Sequence, residues 1–301
     1  MEKAATKLNI KSNGMQPELV PSKELLRDAQ SAGRAIAALN FYNAETLLAH
    51  INAANECGAS IILQTTESTI NYLGLNMVVS MARAAAQSIE RPVALHLDHG
   101  GSYELAARCV EAGYTSVMID GSKLPFDENS VITRKVVELA HSAGVSVEGE
   151  LGHVAHNDDL AQGDAKFLTR PEDAARFVEE TGVDALAVAI GTAHGFYKGE
   201  VRLDFDRLKQ IQEKIGKTAL VLHGGSGVPG DLLRRAVTYG IAKINFGTEL
   251  KNAFTLAVKE SLVSTDEIDL RKTFLPAIKA VQQISTAKIR LCGGMDDTYL
   301  D

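Results

Sequence analysis

The sequence predicts an α/β chain closed into a (β/α)8 TIM barrel, and three observations carry that expectation. Amphipathic segments that close on glycine alternate with short apolar runs from end to end. The runs number eight, are too short for helices, and hold enough Val and Ile for strands buried on both faces. The length, 301 residues, suits eight such units in one barrel. A doubly wound open sheet is the competing architecture. It usually carries a glycine fingerprint after its first strand, and LNFYNAET at 39–46 has none.

Residues 1–22 are polar and lack an apolar signal core, so they read as a flexible extension. Residues 23–301 read as a single barrel domain without a linker. A first helix is expected over Lys23–Ala32 and a first strand over Ala35–Asn40. The second strand lies in ANECGASIILQ and ends at Thr65 and Thr66. The third spans Val93–Asp98. The fourth to eighth lie in VEAGYTSVMIDG, HSAGVSVEGE, ETGVDALAVAIG, EKIGKTALVLHGG and TYGIAKINFG. In each of these motifs a glycine just past the preceding helix takes the left-handed conformation that caps it. In LTRPEDAARFVEETG, Thr169 stands as N-cap, Pro171 and Glu172 occupy the first turn, and Gly182 follows the end. GVPGDLLRRAVTYG opens on Pro and closes on Gly in the same way. The longest non-periodic stretch, 152–167, follows the fifth strand, and such loops are more often functional or mobile than structural.

Composition narrows the function. Apolar residues make up 45% and charged residues 23%, as in ordinary globular proteins. A net charge of −7 argues against nucleic acid and anionic membranes as partners. The three cysteines, Cys57, Cys109 and Cys292, lack metal-site spacing and are odd in number, which points to free thiols and a cytoplasmic location. No apolar run approaches the ~20 residues a membrane helix needs.

Chemistry in such a barrel belongs at the C-terminal strand ends. There the sequence collects Asn40, Thr66, Asp98 with His99, Asp120 with Ser122, Glu148 and Glu150, His194, His223 and Asn245. His99, His194 and His223 come from three different strands, and each is followed by Gly. Three imidazoles that leave a position open form a catalytic zinc site, whereas a structural site closes with four ligands. The alternative is three ordinary strand-end histidines satisfied by hydrogen bonds. His96 shares a face with Asp98 and reads as a core or supporting histidine, while His50 and His141 sit on helices. Glycine-rich turns after strands seven and eight, with Gly224, Gly225 and Ser226 in one and Gly247 and Thr248 in the other, suit a phosphate held on backbone N–H groups. Lys243 is the best candidate for a Schiff-base route, which would leave the three histidines without a purpose.

HLDHG, SVMIDGS, VEGELG, DALAVAIGTAHGFYKG, LVLHGGSGVP and AKINFGTEL together resemble the class II, zinc-dependent ketose-bisphosphate aldolases, and most nearly their tagatose- and fructose-bisphosphate branch. The resemblance runs from about Ser22 to Arg290. It implies a barrel assembled as a homodimer or homotetramer. It also implies reversible cleavage of a ketose bisphosphate to dihydroxyacetone phosphate and an aldehyde such as glyceraldehyde 3-phosphate. Carried over by position, His99, His194 and His223 are the zinc ligands, and Asp120 and Glu150 belong to an alternative metal position. Asp98 handles the C4 hydroxyl proton, and Asn245 contacts the enediolate. Thr66, Gly195, Lys198, Gly224, Gly225, Ser226, Gly247 and Thr248 fall around the substrate, its phosphate and a monovalent cation, Na+ or K+. Arg271 resembles an arginine that reaches the distal phosphate of a neighbouring subunit, with Leu270 where the family usually has Pro.

Three features depart from the family pattern. After ELG the usual Gly-Gly pair is Ala155 and His156, and the position of the loop glutamate that shuttles the C3 proton holds Asp158, with His156 as the other candidate. The tail RLCGGMDDTYLD is acidic, and Gly247 stands where some fructose-type members have aspartate. Other ketose phosphates, such as 2-deoxy-5-keto-gluconate 6-phosphate, therefore stay open as substrates. The rival readings are a metal lyase acting on another carbon skeleton and a catalytically idle sugar-phosphate-binding subunit.

Overall fold

The computed structural model describes residues 19–154 and 167–294. Among them eight parallel strands close into one barrel in sequence order. They are β1 (Ile36–Asn40), β2 (Ile61–Thr66), β3 (Val93–Gly100), β4 (Ser116–Ile119), β5 (Ser146–Leu151), β6 (Ala185–Val188), β7 (Ala219–Leu222) and β8 (Ile241–Phe246). β1 pairs with β8 to close the ring, Ile36 opposite Lys243 and Ala38 opposite Asn245. Helix α1 (Ser22–Ser31) precedes β1 and α2 (Ala44–Cys57) follows it. Two helices, α3 (Glu67–Leu73) and α4 (Leu75–Ser88), join β2 to β3. Single helices follow the next strands: α5 (Tyr103–Ala112), α6 (Phe126–Ser142), α7 (Pro171–Thr181), α8 (Phe205–Lys214) and α9 (Gly230–Thr238). After β8 come α10 (Thr248–Ser264), α11 (Leu270–Thr273) and α12 (Leu275–Gly293). No helix among the described residues is long and apolar enough to cross a membrane.

The local signals read from the sequence act as expected at most boundaries. Gly58, Gly113, Gly144, Gly182, Gly216 and Gly240, the glycines of the repeated motif, all have φ between 57° and 107°. One boundary differs. The N-cap of α7 is Arg170, not Thr169. The Thr169 hydroxyl donates to the Leu151 carbonyl instead and accepts from Ala189 N at 2.8 Å. Both groups are buried at the ends of β5 and β6, and leaving either unpaired costs ~1–3 kcal/mol, more than the N-cap bond it gives up.

The barrel has two apolar layers. Outward-facing Leu39, Leu63, Leu95, Val117, Leu186 and Leu220 meet the helices in one large core. Inward-facing Ala38, Ile62, Ala94, Ala185, Ala187, Ala219, Val221 and Ala242 form a second, smaller cluster with Leu25 and Leu26 of α1. So many inward alanines leave room at the bottom of the barrel, and α1 fills it. Burying two leucines there contributes roughly 1.5–3 kcal/mol each. The α1 plug also brings Ser22 against Ser116 at the start of β4, hydroxyl to hydroxyl at 2.8 Å, so the floor is not wholly apolar.

Candidate active site

A regular strand sends neighbouring residues to opposite faces. Asp98 and His99 are neighbours, yet both reach the rim. The register between β3 and β4 shifts between Leu97 and Gly100, and His99 takes φ 52°. Among the described residues it is the one non-glycine with positive φ. Such a bulge re-aims a side chain at a measurable backbone cost, and strain of this kind concentrates at functional sites. The glycine that follows is forced by space: a Cβ on Gly100 would meet the Met118 carbonyl oxygen and come within 2.8 Å of the Leu97 side chain.

The three histidines converge. His99 and His194 have ring centroids 5.0 Å apart, His99 and His223 4.6 Å, and His194 and His223 6.0 Å. One ligand nitrogen from each lies within 4.8 Å of the others. A second donor set, His99, Asp120 and Glu150, meets the same limit and shares His99. The residues fit a metal. The Glu150 Oε2 atom is buried without a hydrogen-bond partner and stands 3.9 Å from both His99 Nδ1 and His223 Nδ1. The three imidazoles match the donor set of an open zinc site.

Electrostatics within the cluster are strongly polarised. Burial works against a charged His99, yet the hydrogen bond to Asp120 at 2.8 Å and the charges of Asp98 and Glu150 push it up to about 9. Asp120 is held well below the usual carboxylate range; burial opposes this, but the His99 bond and the Ser122 donors prevail. Glu150 is pushed up to about 8 by burial and by neighbouring Asp120. A cation bound here would displace protons from these groups.

Asp98 sits in a cage of amides. Asn40 Nδ2 donates to Oδ2 at 2.9 Å, Gln64 Nε2 to the same oxygen at 3.3 Å, and Asn245 Nδ2 to Oδ1 at 3.1 Å. Burial alone would raise this carboxyl. The charge at His99 and the Asn40 bond outweigh it and hold Asp98 below its ordinary range. Asp98 Oδ1 is 3.9 Å from His99 Nε2, so an ionised carboxylate stands beside the histidine cluster. The sequence reading gave Asn40 no more than a place at the rim and missed Gln64; buried amides at adjoining strand ends, in register as Asn40 and Gln64 are, were the available signal.

Thr66 pairs in register with Asp98, its hydroxyl 2.9 Å from that of Ser68. Gly195 and Lys198 belong to the segment after β6 that carries His194; there Tyr197 Oη accepts from Ala193 N and donates to the Gly224 carbonyl, each at 2.9 Å. Gly225 N donates to the Asn245 carbonyl, and the buried Ser226 hydroxyl accepts from Gly247 N and Glu249 N, both at 3.3 Å. These bonds fasten the β7 and β8 turns against the first turn of α10, where Thr248 stands. Arg271 is not at the rim: it sits on α11 beyond the 17 residues of α10, 90% exposed, bonded to Asp269 at 2.8 Å. Asp158 and His156 lie outside the described residues. Lys243 is fully buried, with Nζ 2.7 Å from Glu148 Oε2 and 3.1 Å from His96 Nε2. An ammonium clamped to a carboxylate is a poor nucleophile.

Residues 20–297 match the family described as fructose-bisphosphate aldolase class-II. Among solved structures, the chain is similar to the YdjI aldolase of Escherichia coli K12: 34% identity, 93% of this chain and 99% of that one covered, TM-score 0.81. It is also similar to a Coccidioides immitis protein provisionally described as a fructose-1,6-biphosphate aldolase, at 28% identity over 92% and 98% of the two chains, TM-score 0.82. The Campylobacter jejuni fructose-bisphosphate aldolase shares the fold, with 23% identity, 93% and 97% coverage and a TM-score of 0.77. The family match spans nearly the whole chain and takes in the rim described above, so this chain belongs to the class II fructose-bisphosphate aldolase family of carbon–carbon lyases.

Proposed function

We propose that the protein is a zinc-dependent aldolase that reversibly cleaves a ketose 1,6-bisphosphate, tagatose or fructose bisphosphate, to dihydroxyacetone phosphate and glyceraldehyde 3-phosphate. The observation that carries the reading is the meeting of His99, His194 and His223 nitrogens within 4.8 Å beside the amide-caged Asp98. His99, His194 and His223 would hold the ion, and Asp120 and Glu150 would serve an alternative position reached through His99. A bound Zn2+ supplies Lewis acidity at the C2 carbonyl and stabilises the charge that cleavage leaves behind. Asp98, kept ionised by its neighbours, takes the C4 hydroxyl proton as the C3–C4 bond breaks. The Asn245 amide orients Asp98 and faces the reacting carbons. Its Oδ1 is buried without a partner, which leaves it available to a substrate hydroxyl.

The substrate's phosphate falls to the turns at Gly195, Lys198, Gly224, Gly225, Ser226, Gly247 and Thr248, with Thr66 across the rim. The α10 N-terminus supports this assignment, because first-turn N–H groups and the helix dipole favour an anion. A sodium or potassium ion beside that phosphate belongs to the same reading. Asp158 is the proposed C3 proton shuttle. The protein works as a homodimer or homotetramer in the cytoplasm. An apolar stripe supports assembly, with Val263 and Ile268 each 90% exposed and Leu262 and Leu270 beside them. In an oligomer built on that stripe, Arg271 reaches a neighbour's site. Three free thiols support the location.

The test is cleavage of tagatose and fructose bisphosphates, with 2-deoxy-5-keto-gluconate 6-phosphate as the third substrate. EDTA should abolish cleavage and zinc should restore it. Asp98→Ala should lose at least 100-fold in kcat while still binding zinc. Cleavage that survives EDTA, or a borohydride-trapped adduct on Lys243, would overturn the reading.

A further inference from the structure

A single hydrogen-bonded chain crosses the barrel interior from floor to rim. It begins where Ser22 Oγ on α1 meets Ser116 Oγ at 2.8 Å, and Ser116 Oγ meets His96 Nδ1 at 2.7 Å. His96 Nε2 lies 3.1 Å from Lys243 Nζ, which donates to Glu148 Oε2 at 2.7 Å. Glu148 Oε1 meets His223 Nε2 at 2.8 Å, and His223 Nδ1 lies 2.8 Å from His99 Nε2. All of these side chains but His99 are buried.

The polarity of the chain follows from one residue. An ammonium has donors and no acceptor, so Lys243 donates in both directions. Towards the floor, His96 Nε2 must accept, which puts its proton on Nδ1, directed at Ser116. Towards the rim, both Glu148 oxygens accept, one from Lys243 and one from His223 Nε2–H. His223 therefore carries its proton on Nε2 and presents the Nδ1 lone pair to His99 and His194. Asn245 Nδ2 lies 3.3 Å from His223 Nε2, a competing donor that would force the opposite tautomer. The shorter contact to an acceptor-only carboxylate decides against it, and Asn245 donates to Asp98.

We propose that Lys243 is a positioning residue that, through Glu148, fixes the tautomer of His223 and so aims its Nδ1 lone pair at the metal. The inference rests on reading His99, His194 and His223 as metal ligands. It predicts an unusual pattern among variants. In Glu148→Gln with Lys243 intact, the lysine still demands an acceptor, so the carboxamide turns its oxygen to Nζ and its NH2 to His223. That imposes the Nδ1–H tautomer, which blocks the metal. In Lys243→Met the carboxylate still accepts from His223 but loses its anchor. In the double variant nothing constrains the carboxamide, which can turn its oxygen back to His223.

The experiment is zinc affinity by competition with a chromophoric chelator, together with 15N spectra of imidazole-labelled protein. Wild type should bind zinc with His223 protonated on Nε2. Lys243→Met should weaken zinc about 10-fold and Glu148→Gln about 100-fold, the range for lost supporting partners of ligand histidines. The double variant should bind more tightly than Glu148→Gln. A general packing defect predicts the reverse, because the double variant would then be the weakest. If Lys243→Met fails to fold, wild type and Glu148→Gln still decide the matter through the His223 tautomer. A zinc-bound wild type with His223 protonated on Nδ1 overturns the proposal, as does a Glu148→Gln variant with unchanged affinity. A wild type that binds no zinc would instead sink the metal reading itself.

Discussion

Replacing Gly224 with alanine tests how the β6 and β7 loops hold the histidine rim. Gly224 has φ 68°, and a Cβ there would lie 2.9 Å from the Ala193 carbonyl carbon and closer still to its oxygen. The obstacle is backbone, immediately before His194. Ordinary contact needs about 3.5 Å, and the oxygen is the nearest atom, so the β6 loop must retreat by roughly 1 Å. The left-handed conformation costs about 1–2 kcal/mol for a residue with a Cβ, and overpacking adds about 1–3 kcal/mol. The expected loss is about 2–5 kcal/mol. Unfolding entropy of about 2.1 cal/mol/K per residue converts that to a Tm drop of roughly 3–8 °C for this chain. If His194 takes up half or more of that shift, kcat/KM should also fall about 10- to 100-fold, since misplacement by ~1 Å can cost 100-fold. Gly216 is the matched control, with φ 68° and nothing within 4 Å of its Cβ position. Gly216→Ala should lose about 1–2 kcal/mol and no activity. Differential scanning calorimetry and steady-state cleavage assays on both variants give the comparison. Equal Tm and equal activity in the two would show that the Ala193 contact does not position the rim, and the reasoning would fail.

Three further outcomes follow from the structure. Burial lowers His50 to about 4 from 6.5, although its bond to the Asn40 carbonyl opposes the shift. The unfolded chain thus binds this proton more readily, so the stability His50 contributes is complete above pH 6.5 and is lost as pH falls towards 4. Between pH 7.5 and 4.5 the loss should be about 2.5 kcal/mol, and urea midpoints for His50→Gln should show a pH dependence shallower by that amount. Ile268, 90% exposed on the apolar stripe, should tolerate aspartate in the monomer, yet Ile268→Asp should shift sedimentation velocity to the monomer. Arg271→Ala should leave assembly intact and raise KM for the bisphosphate, and an unchanged KM would remove it from the neighbour's site.

The alternation of glycine-closed helices with short Val- and Ile-rich runs determined the eight-strand barrel, because caps and apolar periodicity are local properties that the chain carries into any context. The same logic put the histidines at one rim, since a parallel barrel brings all its strand ends together. Local signals failed where a tertiary demand was stronger. Thr169 looked like an N-cap, but barrel closure left a carbonyl and an N–H at the ends of β5 and β6 that only its hydroxyl could satisfy. The bulge that turns His99 onto the face of Asp98 contradicts strand alternation, and no period in HLDHG reveals it. Nor could spacing show that Asn40, Gln64 and Asn245 would close around Asp98, or that Lys243 would meet Glu148 and His96 inside the barrel. Those contacts join residues from 34 to 147 positions apart, and the register of ring closure alone brings them within bonding distance.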